Sequence, residues 1–242
     1  MGTGRRSLPR RLLRYTLGAV LAALLLSVLA VLAMRWVDPW SSAFMVDARV
    51  DSWFDDDERP FQLRQSWRDY RYISRELALA VVASEDQRFP EHSGFDFAQI
   101  QKAMDDAEAG RRARGASTIT QQVAKNLFLW SGRSWIRKGL EAWFTLLVEA
   151  LWPKQRILEV YLNIAEFGRG IYGAEAAAQA FFHKPAARLT RAEAARLAAV
   201  LPNPKQRRAD APGRYVLRRQ QQIEIQMAAL GGTYYLRELE KR

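Results

Sequence analysis

Residues 139–163 read GLEAWFTLLVEALWPKQRILEVYLN, and this stretch decides the fold class. In its first half, large apolar side chains recur every three to four residues, which is the spacing of one stripe along a helix. The members of this stripe are Leu140, Phe144, Leu147 and Leu151. Pro153 then suits the first turn of a second helix, because the N–H that proline lacks would have no helical partner there. The stretch therefore predicts two consecutive helices.

Helical patterns continue on both sides of this stretch. The pairs Asp96–Gln99 and Thr190–Glu193 have the spacing of capping boxes, each in front of a helical run. No segment alternates clearly between apolar and polar residues, and the sequence contains no Asn-Gly or Asp-Gly hairpin turn. We expect an all-α domain, with at most a small strand pair around residues 41–62.

An apolar segment near the N-terminus, residues 15–34, reads YTLGAVLAALLLSVLAVLAM and carries no charge. About 20 helical residues at 1.5 Å each cross a hydrocarbon core of roughly 30 Å. A cleavable signal peptide is the alternative, since VLA at 31–33 is a tolerable cleavage site, but its apolar core usually has only about 7–15 residues. We predict an uncleaved transmembrane anchor after a basic cytoplasmic segment, 1–14. Because basic flanks stay in the cytoplasm, a linker (35–72) and a globular domain (73–242) are expected on the outer side.

Composition and charge exclude several classes of protein. The chain has 242 residues, no cysteine, two histidines and a formal net charge of +11, so a disulfide framework and a thiolate zinc site are both excluded. The positive excess lies at the two ends: residues 1–34 hold five arginines and no acid, and residues 203–242 hold nine Lys or Arg against four Asp or Glu. A nucleic-acid-binding protein would carry this excess on its folded domain, whereas charge beside an anchor suits an anionic membrane surface.

The densest polar cluster is SEDQRFPEHSGFD, residues 84–96. Glu85 and Asp86 directly follow an apolar helical run, so both carboxylates are expected at the mouth of a buried helix. A carboxylate beside apolar walls loses hydration, which raises its pKa toward the range of a general base. A solvated helix end is the alternative, but acids are disfavoured near a helix C-terminus. For His92, a hydrogen bond that holds the loop is the first interpretation and catalysis the second.

A second cluster, GASTITQQVAKN at residues 115–126, offers hydrogen-bond donors and positive charge. If a helix starts at Thr118, then Thr118, Gln122 and Lys125 share one face and present a hydroxyl, an amide and an ammonium group. Such a helix N-terminus, preceded by the basic loop RRARG, is a natural site for phosphate. The alternative is an ordinary polar helix face, although no acidic residue occurs in 111–139.

Two further segments carry weaker signals. Arg137 and Glu141 in RKGLE lie one helical turn apart, and as a plain ion pair they would contribute only about 0.2–0.5 kcal/mol. In residues 154–182, Glu159 and Asn163 share a helix face and three glycines precede the next helix, for which structural roles are the default interpretation. The residues alone suggest an anchored helical domain that acts on an anionic, lipid-linked substrate.

Together these segments resemble the peptidoglycan glycosyltransferase family, which includes the glycosyltransferase domain of bifunctional penicillin-binding proteins and the monofunctional transglycosylases. The resemblance rests on EDQRFPEHSGFD, GASTITQQVAKNLFL, RKGLE, KQRILEVYLNIAEFGRGIYGAEAAAQAFFHK and RLAAVLPNP, which follow the family's order across most of 70–205. The monofunctional form is the better match, because neither the Ser-x-x-Lys nor the Lys-Thr-Gly signature of a transpeptidase occurs.

The resemblance implies a lysozyme-like, two-lobed fold and a defined reaction. Lipid II is polymerised into β-1,4-linked glycan strands with inversion, and undecaprenyl pyrophosphate is released at the outer face of the bacterial inner membrane. By match to the family, Glu85 is the general base and Glu141 is the second essential carboxylate. The implied substrate-binding residues are Asp86, His92, Ser117, Thr118, Gln122, Lys125, Asn126, Arg137 and Lys138.

Partners and cofactors follow from the same resemblance. A magnesium or manganese ion that bridges the phosphates is an expected assisting group, with Glu141 as the candidate ligand, and no covalent cofactor is expected. Membrane lipids are expected partners, cell-division proteins and penicillin-binding proteins are candidates, and nucleic acid is not expected. Two rival interpretations stay open: a lytic enzyme of lysozyme type, and a non-catalytic membrane scaffold of cell division.

Overall fold

The structure is a computed structural model, and it describes residues 8–54, 61–111, 115–132 and 134–240. Residues 1–7 of the predicted cytoplasmic segment, 55–60 of the predicted linker and 112–114 of the predicted basic loop lie outside the described residues. The helices are α1 (Leu8–Ala33), α2 (Ala43–Asp51), α3 (Arg75–Glu85), α4 (Phe97–Glu108), α5 (Ile119–Phe128), α6 (Trp135–Leu151), α7 (Lys154–Ile164), α8 (Ala174–Phe182), α9 (Arg191–Val200), α10 (Arg214–Ala229) and α11 (Arg237–Glu240). Three 3-10 helices cover Tyr70–Tyr72, Ala186–Arg188 and Gly232–Leu236, and the strands are β1 (Arg64–Gln65), β2 (Glu166–Gly168) and β3 (Ile171–Tyr172).

The expectation of an all-α domain is confirmed. Helices α6 and α7 follow each other directly and are separated at Pro153, which is the N-cap residue of α7. The capping box before α9 forms in both directions between Thr190 and Glu193. At the start of α4, the Asp96 carboxylate accepts a hydrogen bond from the Gln99 backbone N–H at 3.0 Å. Side chains that satisfy the first N–H groups therefore fix where these helices begin.

The strand pair that the sequence allowed around residues 41–62 does not occur in the described part of that segment, 41–54 and 61–62. This segment contains helix α2, which begins where the Ser42 hydroxyl accepts a hydrogen bond from the Met45 N–H at 3.2 Å. The small sheet lies elsewhere and has the order β1-β3-β2, with β1 parallel and β2 antiparallel to β3. Its strands have two or three residues, which is too short for alternation to show. Gly170 makes the close approach between them, since a Cβ there would lie 2.5 Å from the Gln62 carbonyl oxygen.

The core is built around helix α3. Its residues from Leu77 to Ala83 are all buried, and the helix packs against α9 and α10. A second group joins α5 to α6 and α7, and α7 is buried continuously from Ile157 to Ile164 except at Glu159. Directly after α3, the Asp86 carboxylate accepts a hydrogen bond from the Ile119 N–H at 3.0 Å, so the end of α3 lies beside the start of α5. The polar residues of both ends therefore meet in one place.

Among the described residues, one helical segment, Arg10–Ala33, is long and apolar enough to cross a bilayer. Its last turn is attached to the rest of the protein by polar contacts. The Trp152 indole N–H donates to the Val31 carbonyl at 2.7 Å, and Val31 is fully buried. The Arg156 guanidinium donates to the Met34 carbonyl at 3.0 Å. The end of α1 is therefore part of the folded domain.

Candidate active site

The candidate site is centred on the end of helix α3. The backbone leaves the helix at Asp86, whose φ of −161° and ψ of 77° are extended, while its N–H still bonds to the Val82 carbonyl at 2.9 Å. Glu85 is the last helical residue and is partly exposed, whereas the seven residues before Ser84 are buried. The apolar helix thus delivers one carboxylate to the edge of the core, as the sequence predicts.

Glu85 receives a hydrogen bond from helix α5. The Gln122 side-chain amide donates to a Glu85 carboxylate oxygen at 3.0 Å, and the Gln122 carbonyl oxygen accepts from the Tyr161 hydroxyl at 3.3 Å. Tyr161 is buried, and burial raises its pKa well above the usual value, so its hydroxyl keeps its proton. This chain of donors orients the amide of Gln122 and leaves the other oxygen of Glu85 for a further partner.

Burial is the main cause of an altered pKa at Glu85. The loss of hydration raises the pKa of this carboxyl, and the charge of Asp86 acts in the same direction. The hydrogen bond from Gln122 and the positive charges of Arg219 and Lys125 lower it, and the net shift is upward. A carboxylate with a raised pKa holds a transferred proton more strongly, which is what a general base needs near neutral pH.

Asp86 is engaged in a different way. It is 6% exposed, and one carboxylate oxygen accepts a hydrogen bond from the Ile119 backbone N–H at 3.0 Å. His92 Nε2 lies 2.9 and 3.1 Å from its two oxygens. Asp86 therefore joins the end of α3 to the first N–H of α5, where a negative charge also suits the helix dipole. This geometry favours a role for Asp86 in positioning α3 and α5. A contact of Asp86 with a sugar stays a prediction.

Lys154 at the start of α7 holds the loop that carries His92. The His92 carbonyl oxygen accepts a hydrogen bond from the buried Lys154 ammonium at 2.6 Å, and this ammonium also pairs with Glu149 at 2.7 Å. The His92 side chain is 7% exposed, and its Nδ1 is buried without a hydrogen-bond partner among the described residues. The geometry matches the loop-holding interpretation, while a substrate contact by His92 stays a prediction.

The start of helix α5 uses Thr118 as its cap. The Thr118 hydroxyl accepts from the Gln121 N–H at 3.2 Å and donates to the Gly94 carbonyl at 2.7 Å. Thr118 is 2% exposed, whereas Ser117 is exposed. The helix begins at Ile119, so Thr118 stands before the helical face that it was expected to share. Of the two hydroxyls, only that of Ser117 faces solvent, and a substrate role for either stays a prediction.

A second carboxylate, Glu141, lies on α6 within a group of cations. It is 4% exposed, accepts a hydrogen bond from the Lys138 ammonium, and lies 3.6 Å from the Arg137 guanidinium. Lys125 on α5 is close enough for the charges of Glu141 and Glu85 both to raise its pKa. Burial lowers the pKa of Lys125 more strongly, and Arg137 and Lys138 act in the same direction. The charge of Lys125 thus interacts with both carboxylates, and we call Lys125, Arg137, Lys138 and Glu141 the cationic cluster.

Two side-chain atoms, one within the cationic cluster and one in the residue after Lys125, are buried without a hydrogen-bond partner among the described residues. They are the side-chain oxygen of Asn126 and Nε of Arg137. A buried polar atom without a partner costs roughly 1–3 kcal/mol, so such atoms often mark places where a ligand or water completes the site. The predicted substrate roles of Asn126, Arg137 and Lys138 stay predictions; Arg137 and Lys138 both face Glu141, and Asn126 directly follows Lys125 on α5.

The donors around Glu141 do not suit a metal ion held by the protein. Among residues 8–54, 61–111, 115–132 and 134–240, no three His, Asp or Glu side chains cluster as a metal site requires. Magnesium and manganese prefer several oxygen ligands. The contacts of Glu141 are instead two positive groups, those of Lys138 and Arg137. The proposed reaction includes no step on a metal ion.

Several residues that shape the site were not among the sequence predictions. Tyr161 orients Gln122, Lys154 holds the loop of His92, and Arg219 contributes positive charge near Glu85. Lys154 and Tyr161 belong to the segment 154–182, but the spacing of residues in this segment does not indicate a contact with Gln122 or with the loop of His92. Arg219 lies on α10, outside every segment selected, so only the fold could bring it to the site.

Comparison with known proteins gives a consistent result. The family model described as Transglycosylase matches residues 56–228. A protein of Chromohalobacter salexigens is 55% identical over 230 residues, which cover 95% of this chain and 97% of the relative. A protein of Xanthomonas euvesicatoria pv. vesicatoria is 56% identical over 227 residues, covering 94% and 91%. A third, from Ectopseudomonas mendocina, is 53% identical over 237 residues, covering 98% and 96%. All three relatives carry the name biosynthetic peptidoglycan transglycosylase.

Proposed function

Since this chain belongs to the transglycosylase family and is a glycosyltransferase of peptidoglycan synthesis, we propose that it polymerises lipid II with Glu85 as the general base. The single observation that carries this proposal is that helix α5 links Glu85 to the cationic cluster: Gln122 donates to Glu85 at 3.0 Å, and Lys125, one turn later, interacts electrostatically with both Glu85 and Glu141. One carboxylate with a raised pKa and one cationic cluster are the two parts that joining a sugar to a pyrophosphate-linked donor requires. The membrane anchor is a further part of the proposal.

The proposed reaction is a single displacement. The 4-hydroxyl of the acceptor's GlcNAc attacks the anomeric carbon of the growing chain, and its proton passes to the free oxygen of Glu85. The bond from that carbon to the pyrophosphate breaks at the same time, so an α-linked donor gives a β-1,4-linked product and undecaprenyl pyrophosphate. A positioned base typically contributes about 100- to 10,000-fold in rate. The raised pKa of Glu85 supports this role.

The cationic cluster serves the leaving group. Pyrophosphate leaves as an anion, so it needs positive charge more than it needs a proton, and fixed cations act most strongly where the negative charge develops. Lys125, Arg137 and Lys138 supply this charge. Glu141 accepts a hydrogen bond from Lys138 and faces Arg137, which supports a role in orienting both cations. A bridging magnesium or manganese ion would have to be held by the phosphates themselves, and this expectation from the resemblance stays a prediction.

The membrane arrangement follows from the contacts of α1. We propose that α1 is retained as a single-pass anchor in the bacterial inner membrane, with the catalytic domain on the periplasmic side. The Trp143 indole N–H donates to the Ser27 hydroxyl at 3.0 Å, and the Trp152 indole N–H donates to the Val31 carbonyl at 2.7 Å. Cleavage after residue 33 would remove both acceptors, which supports retention over a signal peptide.

Apolar side chains near the cationic cluster support the same arrangement. Trp130 is 49% exposed, Trp135 92% and Ile136 77%; Trp130 follows α5, and the other two are the first residues of α6. Leu129, in contrast, is 1% exposed and cannot contact the bilayer surface. Exposed tryptophans beside a membrane anchor suit the headgroup level, where an indole ring has both an apolar and a polar neighbour. Interactions with cell-division proteins and penicillin-binding proteins stay predictions from the resemblance.

The reaction class is tested by offering the full chain two substrates separately. With lipid II in detergent, we expect glycan polymer that a β-1,4-specific muramidase digests. With mature peptidoglycan, we expect no release of muropeptides, because a hydrolase must protonate a poor leaving group and has no use for a cationic cluster. Muropeptide release without polymer would overturn the proposal in favour of a lytic enzyme, and no reaction with either substrate would favour a scaffold.

A further inference from the structure

Two residues from the C-terminal part of the chain reach the loop that carries Glu85 and Asp86. The Arg219 guanidinium on α10 donates to the Ser84 carbonyl oxygen at 3.1 Å. The Tyr235 hydroxyl, in the 3-10 helix Gly232–Leu236, donates to the Gln87 carbonyl oxygen at 2.6 Å. The two acceptors are the backbone oxygens immediately before and immediately after the acidic pair. Both sides of this pair are therefore held from one direction.

Each of these bonds meets a need of the backbone. Ser84 lies in the last turn of α3, where carbonyl groups have no partner within the helix and a positive group suits the dipole. Gln87 follows the point at which the chain leaves the helix, and its side chain donates to the Ala83 carbonyl at 3.0 Å. Burial raises the pKa of Tyr235 to about 12, so its hydroxyl keeps its proton and donates throughout the working pH range.

Arg219 also carries charge toward the acidic pair. The titratable groups that face Glu85 are three charged ones, Asp86 beside it, Lys125 from α5 and Arg219 from α10, and one neutral one, the Tyr161 hydroxyl from α7. Lys125 belongs to the cationic cluster and is expected to meet substrate. Arg219 donates instead to the backbone, so its charge stays in one place whether or not substrate is bound.

We propose that Arg219 and Tyr235 are positioning residues for polymerisation, which fix the Glu85–Asp86 corner by holding the carbonyls of Ser84 and Gln87. The inference rests on the proposed role of Glu85 as the base. Both residues lie beyond residue 205, after the last of the segments on which the family resemblance rests, and Tyr235 also lies beyond the matched range 56–228. The C-terminal part of the chain thus contributes to catalysis without contacting substrate.

The two residues have separable effects, which makes the proposal specific. Arg219 contributes a hydrogen bond and a charge, whereas Tyr235 contributes only a hydrogen bond. Loss of the Arg219 charge raises the pKa of Glu85 further, and because the base must be ionised to accept a proton, activity then requires a higher pH. Loss of the Tyr235 hydroxyl leaves the charges unchanged, so it should lower the rate without changing the pH dependence.

The test measures kcat and KM for lipid II from pH 4.5 to 8.5 with full-length variants in one detergent. We expect Arg219→Gln to lower kcat about 10-fold, the effect of one charged hydrogen bond, and to move the acidic limb of the profile to higher pH. Arg219→Lys should restore the position of this limb. Tyr235→Phe should lower kcat several-fold with the limb unchanged, and KM should change little in all three variants.

Matched controls come from the neighbouring residues. Arg218→Gln removes an exposed charge from the same helix, and Tyr234→Phe removes an exposed hydroxyl from the same turn. Both should behave as wild type. The inference is overturned if Arg219→Gln and Tyr235→Phe match these controls, or if their losses follow entirely from lowered melting temperatures. Glu85→Gln distinguishes the two proposals: full activity of that variant would defeat the proposed base, whereas its inactivity beside unaffected Arg219 and Tyr235 variants would defeat only this inference.

Discussion

Glu85 combines a catalytic advantage with a cost in stability. Its carboxylate loses hydration at the edge of the core, and the hydrogen bond from Gln122 compensates this loss only in part, because the net shift of its pKa is upward. A group whose pKa is raised on folding binds its proton more strongly in the folded state. The stability of the protein therefore falls as pH rises from the unfolded pKa through the folded pKa of this carboxyl.

This sign leads to a prediction for Glu85→Gln. The variant lacks the charge whose burial is unfavourable, so at pH 7 its melting temperature should equal or exceed that of the wild type. Scanning calorimetry or thermal fluorescence at pH 4 and pH 7 checks this, and the difference between the two proteins should be smaller at pH 4, where the native carboxyl binds its proton. A variant that melts well below wild type at pH 7 would show that the ionised carboxylate stabilises the fold.

A second prediction at this scale concerns Lys125. Lys125 is partly buried, burial lowers the pKa of its ammonium group, and this group makes a cation–π contact with Phe44 at 5.6 Å. Lys125→Ala should reduce the rate of lipid II polymerisation about 100-fold or more, since one fixed cation at the leaving group is lost. The melting temperature should change little. As a control, Lys102→Ala removes an exposed lysine from α4 and should leave the polymerisation rate and the melting temperature unchanged. A large drop in melting temperature for Lys125→Ala alone would give Lys125 a structural role.

At the scale of elements, helix α5 joins the two halves of the site. Gln122 on this helix donates a hydrogen bond to Glu85, and the charge of Lys125, one turn later, interacts with that of Glu141. The position of both depends on where the helix begins, which the Thr118 cap and the bond from the Ile119 N–H to Asp86 determine. A capped helix start therefore sets the distance between the base and the cationic cluster.

Removal of this cap should affect stability more than chemistry. Thr118→Ala loses the hydroxyl that accepts from Gln121 and donates to the Gly94 carbonyl. The expected loss is about 1–2 kcal/mol, or a melting temperature lower by roughly 2–8 °C for a chain of this size. Thr118→Ser should restore most of it, and Ser117→Ala, at an exposed neighbour, should cost nothing measurable. If Thr118→Ala keeps its melting temperature but loses activity, Thr118 contacts substrate as the family resemblance implies.

The elements also show how far sequence reasoning reaches. Helices α6, α7 and α9 follow from apolar spacing, Pro153 and the capping box at Thr190, because these are local effects. Helix α2 was not predicted, since it has nine residues without a clear apolar stripe, and its start depends on Ser42. The β1–β3 pairing joins residues about one hundred positions apart, and no local pattern encodes that contact.

The residues of the site also divide into those that the sequence identifies and those that only the fold brings together. The sequence identified Glu85, Lys125 and Glu141 through chemistry and resemblance, and the fold brings them together. It did not indicate that Tyr161 orients Gln122 or that Arg219 and Tyr235 reach the backbone beside Glu85. These contacts depend on how α7, α10 and the C-terminal turn pack against α3. Residues that position others carry no chemical signature of their own, so the sequence alone cannot identify them.

At the scale of the whole molecule, the proposed anchor α1 is also part of the folded domain. Val31 is fully buried, the Trp152 indole donates to its carbonyl, and Arg156 bonds to the Met34 carbonyl. In the proposed membrane arrangement, this junction would hold the site around Glu85 at one height above the bilayer surface. The substrates of the proposed reaction carry prenyl tails, so such a height would keep the cationic cluster level with their pyrophosphates.

Two deletions test this arrangement. The chain 25–242 keeps Val31 and Met34, whereas the chain 35–242 lacks both. We expect 25–242 to melt as the full chain does in detergent and 35–242 to melt lower, because the loss of one buried valine side chain alone costs roughly 1.5–3 kcal/mol. Both should polymerise lipid II in detergent, with 35–242 the slower. Equal melting of the two would contradict the junction, and a folded but inactive 35–242 would contradict a self-contained catalytic domain.

The most direct test of the account is the initial rate of lipid II polymerisation by full-length Glu85→Gln at pH 7. A matched variant, Glu108→Gln, makes the same substitution at an exposed position of α4 and should keep the wild-type rate. The account predicts that Glu85→Gln folds, melts at or above the wild-type temperature and loses activity by about 100-fold or more. Polymerisation by folded Glu85→Gln at the wild-type rate would contradict it.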